Sequence, residues 1–412
     1  MKIYRNIGTL ISPVGKTALR GEAMRKNIIT SKNIAILLDD DGRILEVSGD
    51  TDDYSHLNAE VIDCRGLLAL PGFVDSHTHA VFMGERSDEF CMRAEGRSYQ
   101  EIAATGGGIR SSVEHVRNAT SEEIARYSQK FVRNALALGT TTMEVKSGYG
   151  LSTESELRLL HAAKRVGELT GMEIIRTWLG AHAVPKEKKQ SDYVEELLSE
   201  QLPRVIAEHA AEFADVFCDE GYFTNEETRR ICEAAQAVGL KVKLHADELA
   251  NTEGAALAVS LGSYSADHLL KISEEGILAL ANSSRTVATL LPITAMCIRS
   301  AYAPARKMIE AGCAVAIATD CNPGSSMSEN MQLAISLAVI GMQMSPEEAL
   351  VAATLNGAAS LDLADTHGSI EEGKVADFVL FDIPSLSYLP YHIGVSDVVA
   401  VIKGGRIVSG NI

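Results

Sequence analysis

Two histidines separated by one residue, in His77-Thr78-His79, are the sharpest chemical signal in the sequence. They end an apolar run, and because side chains alternate along a strand, both imidazoles would point the same way. A third histidine and a carboxylate would complete a ligand set that suits Zn²⁺, and also Fe²⁺ or Mn²⁺. His245 and Asp320 each fall at the end of another apolar run. The pair alone could be a coincidence, but the four residues together predict a metal site.

Such a metal would lower the pKa of a bound water molecule toward ~7 and polarise a carbonyl group. The reaction also needs a group that takes the proton of the water and gives one to the leaving nitrogen. Glu248, His268 and Asp320 are the candidates, since each follows a predicted strand. The alternative for Glu248 is a surface carboxylate, and for His268 a residue that supports the ligands. The pattern predicts a metal-dependent hydrolase.

Two basic residues near these groups each have two interpretations. Lys146 could be a carbamylated ligand that bridges two metals, but the four ligands above satisfy a single metal, which favours a supporting role. Arg86 could bind a substrate carboxylate with two parallel hydrogen bonds, although its spacing alone favours a solvated loop charge. The net charge of −17 makes this choice important, because an anionic substrate would need a local cation.

The composition excludes several classes of protein. A net charge of −17 argues against nucleic acid or an anionic membrane as a partner. No apolar run approaches the ~20 residues of a membrane span, and the first residues lack the pattern of a signal peptide. The seven cysteines show no metal-binding spacing and predict free thiols in a reducing compartment. We therefore expect a cytoplasmic protein.

The candidate residues are positioned by a series of predicted strands in the middle of the chain. The eight short apolar runs are residues 69–79, 140–150, 172–182, 213–220, 240–248, 263–270, 286–292 and 314–324. Segments with helical periodicity separate most of them, which predicts a parallel (β/α)8 barrel of the TIM type. A barrel has its active site at the carboxyl ends of its strands, where the candidates fall. The long crossover at 80–139 contains Gly106-Gly107-Gly108, which we interpret as a cover for the site.

Both ends of the chain are rich in short predicted strands. The turn signals Asp40-Asp41-Gly42 and Gly404-Gly405 each separate two of them. We expect residues 1–66 and 366–412 to fold together as one small composite β domain, beside a catalytic barrel domain of residues 67–365. The alternative is two separate caps.

Seven motifs occur in order along the chain: PGFVDSHTHAVFMGER, SYQEIAATGGGI, TTTMEVKSGYGL, LGAHAVP, VKLHADE, SADHL and ATDCNPGSS. Together they resemble the imidazolonepropionase family, a branch of the amidohydrolase superfamily. PGFVDSHTH alone marks only the superfamily, whereas GGGI, KSGYGL, LGAHA and ATDCNPG in this order are more specific. The resemblance covers the barrel and extends into the tail at KVADFVLFDIPSLSYLPYHIGV.

The resemblance implies hydrolysis of the cyclic amide bond of 4-imidazolone-5-propanoate to N-formimidoyl-L-glutamate, the third step of histidine degradation to glutamate. It implies a homodimer with one Zn²⁺ or iron ion per subunit, Zn²⁺ being favoured, and a barrel with a β-sandwich built from both chain ends. The implied metal ligands are His77, His79, His245 and Asp320. The implied substrate contacts are Arg86, Tyr149, His182 and Glu248, with Asn322, Gly324 and Ser325 on the glutamyl part of the product. In the resulting hypothesis the propanoate lies on Arg86, with help from Tyr149, and the ring carbonyl faces the metal and His182.

The chain departs from the family pattern in the loop after the seventh predicted strand, LLPITAMCIRSAYAPAR. Some members also carry Gln where this chain has Glu248. Another amidohydrolase that acts on a hydantoin or a guanine-like ring is the alternative enzyme, and Arg86 favours an acidic substrate over a purine. A non-catalytic scaffold is the alternative outside enzymes, and the four intact ligand positions speak against it.

Overall fold

The computed structural model describes residues 1–50, 54, 58–97 and 108–412. In chain order the strands are β1 (Lys2–Pro13), β2 (Ile28–Leu38), β3 (Ile44–Gly49), β4 (Glu60–Asp63), β5 (Leu68–Pro71), β6 (Phe73–Asp75), β7 (Thr140–Lys146), β8 (Glu173–Ala181), β9 (Phe213–Cys218), β10 (Lys241–Ala246), β11 (Ser265–His268), β12 (Val287–Leu290), β13 (Val315–Ile317), β14 (Phe378–Phe381), β15 (Val398–Lys403) and β16 (Arg406–Gly410).

The helices are α1 (Ala23–Lys26), α2 (Ser87–Ala94), α3 (Ile109–Arg117), α4 (Ser121–Ala137), α5 (Thr153–Thr170), α6 (Gln190–Glu196), α7 (Leu202–Ala207), α8 (Asn225–Ala237), α9 (Gly254–Ser260), α10 (Glu274–Asn282), α11 (Pro292–Cys297), α12 (Ala305–Ala311), α13 (Met331–Met342), α14 (Pro346–Ala353), α15 (Leu355–Ser360) and α16 (Tyr388–Tyr391). A π-helical turn, Leu197–Gln201, joins α6 to α7. Within the described ranges, no helix is long and apolar enough to cross a membrane.

Eight parallel strands, β6 to β13, form one sheet in chain order. Its first and last strands meet just beyond their carboxyl ends, where the amide of Asp320 donates to the carbonyl of His77 at 3.0 Å. The amide of His79 donates in turn to the carbonyl of Cys321 at 2.9 Å. These bonds close the sheet into the predicted barrel, which is confirmed. Each strand lies within the apolar run that predicted it.

The barrel strands are buried because helices cover the outer face of the sheet. Every residue of β7 and β9 is buried, as the short apolar runs predict for parallel strands covered on both sides. The helices between them start at favourable caps. Thr120 with Glu123, and Thr224 with Glu227, form capping boxes at the first turns of α4 and α8. Local sequence therefore determines where these elements begin.

Strands from both chain ends form a second, mixed sheet with the order β16-β15-β14-β5-β1-β2-β3, and β4 pairs with β1. Both predicted hairpins are present, β2–β3 and β15–β16. Because β14 pairs with β5 and β5 with β1, the two ends share one sheet, which excludes separate caps. The hydroxyl of Tyr4 donates to the carbonyl of Gly405 at 3.2 Å, which brings the C-terminal hairpin over β1.

The first predicted strand, 69–79, is divided between the two sheets. β5 belongs to the terminal sheet and β6 to the barrel, with Gly72 between them. A Cβ on Gly72 would lie 2.2 Å from Oγ1 of Thr141, so the chain passes here only without a side chain. The residue limits of the two predicted domains remain a prediction. Gly106 and Gly107 of the predicted cover lie outside the described residues.

Candidate active site

The four predicted metal ligands converge at the carboxyl end of the barrel. Nε2 of His77 and Nε2 of His79 lie 3.6 and 3.8 Å from Oδ1 of Asp320. His77, His79 and His245 each place a ligand atom within 4.8 Å of the others. Nε2 of His77 is buried and has no hydrogen-bond partner among the described residues. A buried nitrogen that lacks a partner is costly, and the N₃O donor set suits a divalent metal, so the residues fit a metal ion.

Carboxylates behind the histidines fix the orientation of two rings. Nδ1 of His77 lies 2.7 Å from Oδ2 of Asp267, and Nδ1 of His245 lies 2.9 Å from Oδ2 of Asp215. A hydrogen bond at Nδ1 leaves the Nε2 lone pair of each ring for a metal. These two carboxylates therefore act on the site through the ligands.

Lys146 lies beneath the ligands and is fully buried. Its Nζ donates to Oδ2 of Asp215 at 2.7 Å and to Oε1 of Glu144 at 3.0 Å, and lies 3.5 Å from Oδ2 of Asp267. Lys243 contributes a second buried cation, with Nζ 2.8 Å from Oε2 of Glu144. These contacts agree with the supporting role that the sequence favours for Lys146, because its charge is needed by the buried carboxylates.

Glu248 and His268 lie together beside the ligand cluster. Nε2 of His268 is 3.5 Å from Oε2 of Glu248. Burial, followed by the negative charge of Asp320, raises the pKa of Glu248 to about 8. A carboxyl group with such a pKa can both take and give a proton near neutral pH. His268 could also join His77 and Asp320 as a ligand, because their ligand atoms again lie within 4.8 Å of one another.

The loop that carries Glu248 is held by Asp219, at the end of β9. Oδ2 of Asp219 accepts from the amides of Glu248 and Leu249, each at 2.8 Å. Oδ1 accepts from the amides of Glu220 at 2.7 Å and Ala250 at 3.1 Å. One buried carboxylate therefore determines the path of the loop after β10.

All the predicted substrate residues line one cavity of about 920 Å³ together with the metal ligands His79, His245 and Asp320. They are Arg86, Tyr149, His182, Glu248, Asn322, Gly324 and Ser325. His268 lines the same cavity. The structure thus brings together residues that the sequence separates by more than two hundred positions.

Hydrogen bonding determines the tautomer of His182. Its Nδ1 lies 2.9 Å from the carbonyl oxygen of Gly148, and because a carbonyl can only accept, Nδ1 carries the proton. Burial, followed by the positive charge of His245, lowers the pKa of His182 to about 4. The ring is therefore neutral near pH 7 and presents Nε2 as an acceptor. Tyr149 packs beside it, with ring centroids 5.5 Å apart.

The turn after β13 is organised by Asn322. Its Oδ1 accepts from the amides of Gly324 at 2.8 Å and Ser325 at 2.7 Å, and its Nδ2 donates to the carbonyl of Asp320 at 2.7 Å. A Cβ on Gly324 would lie 2.5 Å from Nη1 of Arg86. A side chain at this position would therefore displace the guanidinium of Arg86.

Sequence reasoning missed several supporting residues. Three of them lie inside buried strands: Glu144, Asp215 and Lys243. A charged residue within an apolar run is the sequence signal that could have identified them. Thr294 gave no such signal. It lies in α11, the short helix after β12, within the segment where the chain departs from the family pattern, and its Oγ1 donates to Oδ2 of Asp320 at 2.6 Å.

Comparison with known proteins identifies the family of the chain. Residues 68–408 match the Amidohydrolase family. The imidazolonepropionase of Syntrophobacter fumaroxidans is 46% identical over 98% of this chain and 96% of its own length. That of Caldanaerobacter subterraneus subsp. tengcongensis is 45% identical, over 97% of this chain and 95% of its own.

Solved structures share the fold at low sequence identity. A guanine deaminase from E. coli has a TM-score of 0.71 at 18% identity and covers 100% of both chains. A triazine hydrolase variant has a TM-score of 0.75 at 17% identity, over 99% of this chain and 94% of its own. These two support the architecture alone. The family match and the relatives above 40% identity show that the chain belongs to the amidohydrolase family, within its imidazolonepropionase branch.

Proposed function

We propose that the protein hydrolyses the cyclic amide bond of 4-imidazolone-5-propanoate and releases N-formimidoyl-L-glutamate, a step of histidine degradation. The observation that carries this proposal is a single cavity lined by both the ligand cluster and Arg86. The cluster suits amide hydrolysis, and the guanidinium suits a substrate with a carboxylate tail. The names of the relatives support the same reaction.

We propose that His77, His79, His245 and Asp320 hold one metal ion, Zn²⁺ or iron, with Zn²⁺ favoured by the N₃O donor set. When bound, the ion would polarise the ring carbonyl and lower the pKa of the attacking water. Asp215 and Asp267 keep two of the imidazoles aligned for it.

The substrate ring is oriented by His182 and its tail by Arg86. Because neutral His182 presents Nε2 as an acceptor, it would bind an N–H of the imidazolone ring. We therefore propose that His182 faces this N–H rather than the ring carbonyl, since two acceptors do not form a hydrogen bond. Arg86 would hold the propanoate, with Tyr149 lining the same side of the cavity.

Glu248 would transfer the proton from the attacking water to the ring nitrogen that leaves. Its pKa of about 8 suits both halves of this transfer, since the group must first accept and then donate. His268, 3.5 Å away, would orient the carboxyl group. Asp219 fixes the backbone of Glu248 and so preorganises the transfer.

A turnover assay tests the reaction. Freshly generated 4-imidazolone-5-propanoate is supplied, and the loss of its absorbance is followed with and without a chelator. We expect chelator-sensitive turnover and formation of N-formimidoyl-L-glutamate. Absence of turnover by folded, metal-loaded protein would contradict the proposed substrate and direct the search to other cyclic amides with a carboxylate tail. A cytoplasmic location and a homodimeric assembly without nucleic-acid or membrane partners remain predictions.

A further inference from the structure

Arg86, which the acidic chain would use to attract an anion, is already paired with a carboxylate. Its Nε and Nη2 donate to Oε2 of Glu89 at 3.0 and 2.7 Å, and both side chains are only 9% exposed. Oε1 of Glu89 accepts from the amide of Gly108 at 2.8 Å, so the carboxylate is fixed in place. The pair has no net charge. A substrate carboxylate that meets only this pair gains a hydrogen-bond donor but little electrostatic attraction.

Arg93, four residues after Glu89 on α2, lies beside the same turn. Its Nη2 donates to the carbonyl of Gly324 at 2.7 Å, and Gly324 also contacts Arg86. Nε of Arg93 is buried without a hydrogen-bond partner among the described residues, and the side chain lines the cavity. Burial and the nearby charge of Arg86 lower the pKa of Arg93. The negative charge of Glu89 opposes this shift without cancelling it, so Arg86 and Arg93 share one carboxylate.

Other charges around the cavity do not replace Arg93. Arg97 and Arg299 also line it but are exposed, so water and salt screen them. The acidic residues of the described lining are Glu248 and Asp320, which belong to the catalytic cluster. Within the described part of the cavity wall, the group formed by Arg86, Glu89 and Arg93 therefore carries one net positive charge.

We propose that Arg93 is a specificity-determining residue that supplies the positive charge needed to bind the carboxylate tail of the substrate. Arg86 provides the oriented donors, and Arg93 provides the charge that Glu89 removes from Arg86. The identity of the tail as a propanoate rests on the proposed function. The inference that the cavity binds an anionic group rests only on the side chains of Arg86, Glu89 and Arg93.

Binding of a stable pair of probes tests this role. The probes are 3-(imidazol-4-yl)propanoate and its neutral amide, measured by calorimetry at pH 8.5 on metal-loaded protein. Wild type should bind the carboxylate more tightly than the amide. In Arg93→Gln this preference should fall roughly ten- to a hundredfold, as expected for a lost charge-assisted contact. Arg93→Lys, which keeps the charge, should restore most of it.

Arg299→Gln is the matched control, because it removes an exposed arginine from the same lining. It should change the preference less than about twofold. Equal weakening of both probes in Arg93→Gln, or no recovery in Arg93→Lys, would overturn the proposal, since a residue that only supports Gly324 would affect both probes alike. Binding of the probes does not require turnover. The role of Arg93 can therefore be tested even if the protein does not catalyse the proposed reaction.

Discussion

The site is built on buried charges that would be costly in isolation and are paired in this structure. Oδ2 of Asp215 accepts a hydrogen bond from Nζ of Lys146 and lies within hydrogen-bond distance of Nδ1 of His245. Oδ2 of Asp267 lies within hydrogen-bond distance of Nδ1 of His77. All five residues are at most 2% exposed. Removing one partner of a buried ion pair leaves an unpaired charge in the interior. The resulting loss of stability is larger than the stability that an exposed ion pair contributes. The ligands and their supporting charges should therefore behave as one unit under mutation.

His245→Ala should remove most of the bound metal and lower turnover by more than about a hundredfold, since it deletes a ligand and the partner of Asp215. Metal content by mass spectrometry and the imidazolone assay measure both effects. The control is His161→Ala on α5, a half-exposed histidine whose ring lies 3.2 Å from Glu208, outside the cavity. A His245→Ala protein with full metal content and activity would refute the ligand assignment.

Gly324→Ala should displace the guanidinium of Arg86, because the new Cβ would lie 2.5 Å from Nη1. We expect KM for the anionic substrate to rise roughly tenfold while kcat changes little, as for a residue that positions the tail. Arg86→Ala should raise KM in the same way. In the double variant the two effects should not add, because both act on one contact. Additive effects would show that Gly324 acts elsewhere.

At the scale of elements, the strand ends adopt unusual backbone conformations where they carry the site. Asp247, His268 and Asp320 have φ values of +51°, +73° and +51°. A positive φ is uncommon for residues other than glycine, and such conformations persist when surrounding bonds hold them. The loop after β10 is held in this way by the carboxylates of Asp219 and Asp247, the latter accepting from the amide of Gly254 at 3.0 Å.

Asp219→Asn should loosen this loop, since an amide offers one acceptor oxygen where the carboxylate serves four backbone N–H groups. We expect a loss of roughly 1–3 kcal/mol in unfolding free energy and a lower kcat through misplaced Glu248. Thermal unfolding and steady-state kinetics measure the two effects. Glu220→Gln changes the neighbouring exposed carboxylate and should alter neither. If Asp219→Asn retains wild-type stability and kcat, Asp219 does not hold the loop.

At the scale of the whole molecule, the barrel closes through the site itself. The bond from the amide of Asp320 to the carbonyl of His77 joins the first and last strands at two ligand positions. The amide of Thr319 also donates to Oδ1 of Asp75, at 2.9 Å, across the same junction. A metal held by His77, His79 and Asp320 would therefore cross-link the two ends of the barrel sheet.

Chelation should lower the melting temperature of the wild-type protein, because a ligand that binds only the folded state stabilises it by about 2.7 kcal/mol at a free concentration of 100 Kd. The measurement is thermal unfolding with added Zn²⁺ and with a chelator. His245→Ala serves as the control and should unfold at nearly the same temperature in both conditions. An equal shift in this variant would mean that the metal stabilises the protein at another place.

The sequence by itself determined the elements and most of the site. Short apolar runs and helical periodicity, with caps such as Thr224 and Glu227, act over a few residues and predict the eight barrel strands and most of the helices between them. The barrel then follows from their alternation, and its strand ends place His77, His245 and Asp320 together. These features depend on local chemistry, which is readable from neighbouring residues.

Only the tertiary structure decided which charges are paired. The sequence suggests a free cation at Arg86, but the side chain pairs with Glu89, and together with Arg93 these described residues carry one net positive charge. Likewise, the contact of Nδ1 with the Gly148 carbonyl determines the tautomer of His182 and leaves its Nε2 as a hydrogen-bond acceptor. Electrostatic pairing depends on distances of a few ångströms between residues far apart in the chain, and the packed fold alone sets those distances.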